Sequence, residues 1–362
     1  MIFLLSLCLA LAFAWFGAKW IKGHAAVIYL LASGVSIAVI GVTHSGLTSR
    51  LPEWIRNWIW PMLSNCALAT ALFAVVMFMA VLPRGGKAVK TLLPIRAELS
   101  ILACILTLGH NIAYGKTYFI MLLTRPERLE GHLLWAAVCS VMLILIMLPL
   151  MVTSFPKVRK KMKARAWKKL QRLAYLFYGL VYIHVMLLAM VFLDDGKGEY
   201  LWNVLAYSGV FLSYGILRIR RAMIRKYPDM TRKMTAVLTI VAVTIVSMLC
   251  VSKMIPRQQD LSSEITPVPE ADPVVYMDGV YFGTGEGYVG TTQVAVTVTD
   301  GRISSVIVVS SEDDTSYVED AKALIPDVIA SQRTSLDAVS GATYTSDAIL
   351  SAIEDALSAA IA

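Results

Sequence analysis

Long apolar runs broken by short charged loops fill the first two thirds of the chain. Eight of them, near 1–21, 25–43, 61–82, 98–123, 132–153, 172–193, 200–218 and 235–255, are long enough to cross a bilayer as helices. The first carries no basic leader of the kind that precedes a cleaved signal peptide, and it reads as a retained anchor. "EWIRNWIW" (53–60) departs from this pattern and predicts a short interfacial helix, with Trp54, Trp58 and Trp60 at the headgroup level.

Beyond 255 the pattern changes. "PRQQDLSSEITPVPEADP" (256–273) is acidic and proline-bearing, which predicts an extended linker. "QVAVTVTDGRISSVIVVSS" then alternates apolar and polar residues about Asp300-Gly301, the mark of a β-hairpin. Helical patterns follow at about 316–331 and 346–361. The expected fold is a polytopic α-helical membrane domain of about eight spans over 1–255, then a small α+β domain over 274–362.

Composition agrees and adds sidedness. A hydrophobic content of 57% and a mean hydropathy of +0.66 exclude an ordinary soluble globule. The net charge of +8 hides a split: 30 Lys and Arg against 8 Asp and Glu up to residue 257, then 3 against 17. The positive charge is parcelled into loops between spans, which excludes a nucleic-acid surface. Loops 84–96, 157–172 and 218–233 are basic, whereas 124–131 and 194–200 are neutral or acidic. The positive-inside rule places the basic loops in the cytoplasm and both termini, with the acidic domain, outside the cell membrane. The five cysteines all fall in apolar spans without metal-binding spacing and read as buried small hydrophobes.

A histidine inside an apolar span is costly and asks for a reason. His110 and His184 each stand twelve residues from the cytoplasmic start of a span, counted from Glu98 and Arg172. At ~1.5 Å per residue both lie ~18 Å deep, near the midplane. Two neutral imidazoles at equal depth can ligate one haem iron from its two faces. The alternative is a pair of buried histidines bonded to nearby hydroxyls or carbonyls. His44 and His132, both at the outer face, form a second candidate pair; His24 lies at a cytoplasmic loop.

"RAELSILACILTLGHNIAYG" and "TSFPKVRKKMKARAWKKLQRLAYLFYGLVYIHVMLL" resemble the ferric-reductase-like transmembrane domain, over roughly residues 60–218. The nearest branch is the bacterial haem-b one, typified by the membrane subunit of the methionine-sulfoxide reductase system. The resemblance implies haem b on His110 and His184. That family carries a second histidine thirteen residues before the one at 184; this chain has Gln171 there.

"YMDGVYFGTGEGYVGTTQVAVTVTDGRISSVIVVSSEDD" with "LDAVSGATYTS" resembles the FMN-binding domain of the flavin-carrying subunits of sodium- and proton-linked quinone or ferredoxin oxidoreductases. The resemblance implies FMN joined by a phosphoester to a threonine by a dedicated flavin transferase. By position the acceptor is Thr343, with Thr345 as the alternative. Asp337 belongs to the recognition motif, and Ser340, Gly341 and Ala342 give the enzyme and the flavin phosphate room at the backbone. A competing reading makes Thr345 or Ser346 a simple helix cap. "GTGEGYVG" (283–290) has no following helix or later acidic partner, which excludes a dinucleotide fingerprint and leaves a turn between strands.

Together these readings describe a membrane oxidoreductase. Quinol or a separate cytoplasmic reductase feeds haem b, the covalent FMN outside receives the electrons, and an extracytoplasmic acceptor takes them on. Alternatives are the same path run backwards toward quinone, or a non-redox transporter or sensor with a flavin reporter. Transport would call for acidic residues along a path, and Glu98 is the one candidate.

Overall fold

The computed structural model describes residues 2–45, 47–83, 85–126, 129, 131–194, 200–224, 228–254, 276–339 and 342–361. The linker expected at 256–273 lies outside the described residues. Two compact units emerge, one built on Met1–Asp194 and Gly198–Ile255, the other on Pro256–Ala362.

The first unit is helical. α1 (Ile2–Phe16) and α2 (Ala18–Gly23) follow one another, and α3 spans Ala25–His44. Helical hydrogen bonds continue through Gly17, from Gly17 N–H to Phe13 O and from Ile21 N–H to Gly17 O. A π-helical turn at Ile55–Ile59 leads into α4 (Trp60–Ser64) and α5 (Ala67–Phe78). Next come α6 (Lys87–Leu92) and α7 (Arg96–His110), then a second π turn at Asn111–Gly115 and α8 (Lys116–Thr124). α9 (Gly131–Val152), α10 (Pro156–Lys161) and α11 (Ala164–Gln171) precede the long helices α12 (Leu173–Asp194), α13 (Tyr200–Met223) and α14 (Pro228–Met254).

Five stretches among the described residues are long and apolar enough to cross a membrane: α3, 87–124, α9, 164–193 and α13. A sixth arises if Ile55–Ser64 and Ala67–Phe78, bent by 53°, count as one span. The eight expected spans therefore become five or six. The first and last carry shorter apolar helices, Ile2–Phe16 and Lys233–Met248. The run expected at 61–82 is broken at Cys66, whose φ of 59° no helix continues through.

Lipid accounts for the outer surface of this unit. Leu30 is 73% exposed, Ile37 69% and Leu123 85%, values a water-soluble helix would not tolerate in such number. Inside, Ala69, Ala71 and Ala74 on α5 let helices approach closely, and aromatic rings stack, Phe3 on Tyr207 at 3.9 Å and Tyr178 on Phe211 at 4.2 Å. The basic loops gather at one end. There Lys22 pairs with Glu98 at 2.6 Å, Arg218 donates to the Tyr175 hydroxyl, and Arg221 donates to the Ala80 and Leu82 carbonyls past the end of α5. Exposed Trp54, Trp58, Trp135 and Trp202 lie near helix ends facing the other loops, as an interfacial belt would.

The second unit is a three-stranded antiparallel meander of β1 (Gly279–Glu286), β2 (Thr291–Thr299) and β3 (Arg302–Ser311). Asp300 and Gly301 make the β2–β3 turn with φ of 53° and 73°, the left-handed pair a type I′ hairpin demands. α15 (Thr315–Ala321) and α16 (Ile325–Ser331) follow, then α17 (Thr343–Ser358), which starts three residues before the expected 346. Val294, Val296 and Val298 of β2 bury one sheet face under Ile349, Ile353 and their neighbours on α17.

The glycines of 283–290 divide between two roles, which corrects the single turn expected of them. Gly283 and Gly285 lie in β1, where a Cβ would stand 2.1 Å from the Ala352 and Ala348 carbonyl oxygens of α17. Strand and helix touch backbone to backbone, glycine against an Ala348–Ala352–Ala356 row. Gly283→Ala or Gly285→Ala should therefore push α17 off the sheet and destabilise the domain by about 1–3 kcal/mol or more. Thermal unfolding of the purified protein measures this, and an unchanged midpoint would contradict the close packing.

Candidate functional site

The bend at Cys66 explains where His110 points. α4 ends at Ser64, so the Ser64 carbonyl is one of the unpaired acceptors of a helix C-terminus. His110 Nδ1–H donates to it at 2.5 Å, across 46 residues of sequence. Gly109 lets α7 cross α3 at Ser36, whose Cβ would stand 2.6 Å from any added methyl, and Ser36 Oγ donates to Ile105 O. His110 is thus held one residue before the π turn at Asn111–Gly115, a distortion frequent at functional sites.

His184, on α12, faces α9. Its Nδ1 lies 3.2 Å from Ala136 O and 3.3 Å from Ser140 Oγ, and Ser140 donates to the same carbonyl. In both histidines, Nδ1 is committed to an oxygen acceptor and Nε2 has no hydrogen bond among the described residues. A carbonyl on Nδ1 fixes the tautomer in which Nε2 presents its lone pair, the state an iron ligand requires. Among the described residues no group of three or more His, Cys, Asp or Glu gathers to hold a metal ion. Two axial imidazoles suit a macrocycle that brings its own four donors, so the residues present fit haem.

The other histidines differ. His44 is exposed and bonds back to Ile40 O of its own helix at 3.0 Å; His132 is exposed in the first turn of α9; His24 bonds back to Trp20 O. Gln171 donates from Nε2 to Thr153 Oγ1 at 3.2 Å. The cysteines are all free, yet not all buried: Cys8 is exposed on the lipid-facing side of α1, where a thiol is apolar enough to stand.

In the second unit the described part of the motif assembles at the start of α17. Ala342 is buried, and Thr343 follows it as the first helical residue, exposed. Ser340 and Gly341 lie outside the described residues; Asp337 is exposed nearby in sequence. Thr345 is 2% exposed and donates to Asp313 Oδ2 at 2.7 Å. The same carboxylate accepts the N–H groups of Tyr288 and Val289, and a Cβ on Gly287 would stand 2.4 Å from it. Ser346 is fully buried and accepts the Val339 N–H at 3.1 Å. Neither Thr345 nor Ser346 caps the helix, because each hydroxyl serves another part of the fold. The rings of Tyr288 and Tyr344 stand 5.4 Å apart beside Thr343. Burial, with Tyr344 and Tyr317 adding to it, pushes the Tyr288 phenol above its ordinary value and keeps it a neutral donor.

Comparison with known proteins bears on both units. A model of the ferric reductase like transmembrane component matches residues 65–182, and one of the FMN-binding domain matches residues 287–358. The chain is a ferric-reductase-like transmembrane domain fused to an FMN-binding domain. It belongs to one family with an uncharacterized protein of Treponema pallidum (strain Nichols), 38% identical over 347 residues that cover 94% of each chain. No solved structure matches. The two domains make it a multi-pass membrane protein suited to flavin-linked electron transfer.

Sequence reasoning missed Asp313, Ser64 and Ser140. Asp313 sits in the run Glu312-Asp313-Asp314, which looks like a solvated charge cluster. Ser64 contributes only a carbonyl, and a backbone acceptor leaves no mark on the sequence.

Proposed function

We propose that the protein carries electrons outward across the cell membrane, from a donor at the basic-loop end, through haem b held by His110 and His184, to FMN esterified to Thr343. An extracytoplasmic acceptor then takes them. The observation that carries this reading is the matched pair of histidines with Nδ1 held and Nε2 left over, in a chain that also bears an FMN-binding domain. Bound haem would supply one-electron chemistry at the midplane. The protein's own share is to hold both rings by Ser64 and by Ala136 with Ser140, and to keep water from them with packed helices.

Flavin attachment falls to Thr343 because its hydroxyl is exposed, while that of Thr345 is buried and bonded. A flavin phosphate there stands at the first turn of α17, whose free N–H groups and positive dipole end favour it. His44 and His132 remain the candidates for a second haem between the midplane and the outer domain. The donor is quinol or a separate cytoplasmic reductase, and a flavin transferase completes the protein.

Sealed right-side-out membrane vesicles test the direction. After reduction with a permeant donor, ferricyanide added outside should reoxidise flavin and haem at once. Reoxidation only after the vesicles are opened would place the flavin on the wrong side.

A further inference from the structure

At the basic-loop end of the membrane unit a cavity of about 110 Å³ opens between α5, α7, α9 and α12. Phe73, Met77, Met147, Leu150 and Phe177 form its apolar wall, and Arg96, Ser100, Ser154, Gln171, Tyr175 and Tyr178 bring polar groups to it. Three of those groups lack partners. Tyr178 is 3% exposed, and its hydroxyl is buried without a hydrogen bond. Arg96 makes no hydrogen bond or ion pair among the described residues. Gln171 uses Nε2 on Thr153 and keeps Oε1 unbonded. Arg96 and Gln171 are only half-buried, but a fully buried hydroxyl such as that of Tyr178 is seldom left without a partner unless something else completes it.

Size narrows what that is. An apolar cavity of about 150 Å³ takes one benzene ring. This one is on the same scale and far too small for a four-pyrrole macrocycle. The position adjoins the proposed haem site: Cys104 and Phe177 line the cavity six and seven residues before His110 and His184. At ~1.5 Å per residue that is ~9–11 Å along each helix.

We propose that this cavity binds the head ring of a membrane hydroquinone. The inference rests on the electron-transfer reading and names its donor. The ring packs against Phe177, Met77 and Leu150. One ring hydroxyl donates to Gln171 Oε1, and the opposite oxygen accepts from the Tyr178 hydroxyl. Arg96 favours the negative charge that grows on oxygen as the proton leaves. Oxidation breaks two O–H bonds and turns the hydroquinone into the quinone. Its two electrons would leave one at a time to the one-electron carrier that His110 and His184 would hold, bound for the flavin, and its two protons leave past Arg96 and Ser100 to water at the basic-loop end. Gln171, where the resembling family has a histidine, becomes a ligand for the ring.

The test is equilibrium binding of a labelled decyl benzoquinone to the purified full-length protein, set against two variants. Wild type should bind it saturably, about one per chain. Ala97 of α7 also lines the cavity, and Ala97→Trp, which fills it, should abolish saturable binding while haem and flavin contents hold. Tyr178→Phe, which removes a single oxygen, should weaken binding about fivefold to tenfold, the scale of one hydrogen bond. No saturable binding in wild type, or unchanged affinity in Tyr178→Phe, overturns the proposal; so does full binding in Ala97→Trp. Dithionite reduction is read separately on the same samples. Saturable binding without any dithionite-reducible haem would uphold the cavity and sink the electron-transfer reading instead.

Discussion

Thr343→Ala should yield a protein that folds, keeps its haem and carries no FMN. In denaturing gels its flavin fluorescence should vanish, and the intact mass should fall by one FMN beyond the change in side chain. The expectation rests on the contrast between two threonines one residue apart from Tyr344. Thr343 opens α17 with an exposed side chain, so losing its hydroxyl breaks no hydrogen bond of the fold. Thr345 is buried against Asp313, which also gathers the Tyr288 and Val289 N–H groups. Thr345→Ala should keep its flavin and lose stability instead, by about 1–3 kcal/mol, since one acceptor position on a buried carboxylate goes unfilled. Asp337→Ala should lower the flavinylated fraction without touching stability, because Asp337 is exposed and its expected part is recognition by the transferase. A flavin that survives in Thr343→Ala and disappears in Thr345→Ala would move the attachment site by two residues.

His110→Ala and His184→Ala should each remove the midplane haem entirely, leaving flavin content unchanged. Either substitution would leave iron with one axial ligand in an apolar site, and among the described residues no cluster of His, Cys, Asp or Glu gathers to take over. The b-type band in the dithionite-reduced spectrum, normalised to protein, measures it. Ser140→Ala should do less, because the Ala136 carbonyl still receives His184 Nδ1. His44→Ala and His132→Ala should leave the midplane haem intact and remove only a second one. A wild-type stoichiometry of one haem per chain would eliminate that second site. Haem retained in both His110→Ala and His184→Ala would end the pairing.

The division into membrane and soluble units was legible because composition changes abruptly near 255, and bilayer thickness sets a length that few other structures share. The hairpin was legible because Asp300-Gly301 is one of the few pairs that accept φ above zero twice. The bend at Cys66 was not. Cys66 touches Thr107 of α7 there, and an uninterrupted apolar run gives no sign that one residue will turn left-handed. Gly283 and Gly285 misled for a related reason: glycine marks both turns and close contacts, and only the facing alanines of α17 say which. At the proposed haem site the imidazoles stand out in the sequence by depth alone. Their partners Ser64 and Ala136 act through the backbone and could not. At the proposed flavin site the motif points to Thr343, while Asp313 acts from 30 residues upstream, a distance only folding closes.

Electron transfer through the histidine pair is most directly measured by anaerobic reduction of wild type and His110→Ala side by side. Quinol, or NADH with cell lysate, is the donor, and haem and flavin bands are followed separately. In wild type the haem band should reduce first and flavin follow, and in His110→Ala the flavin should stay oxidised. Flavin reduced as fast in His110→Ala as in wild type would contradict the path through the histidines.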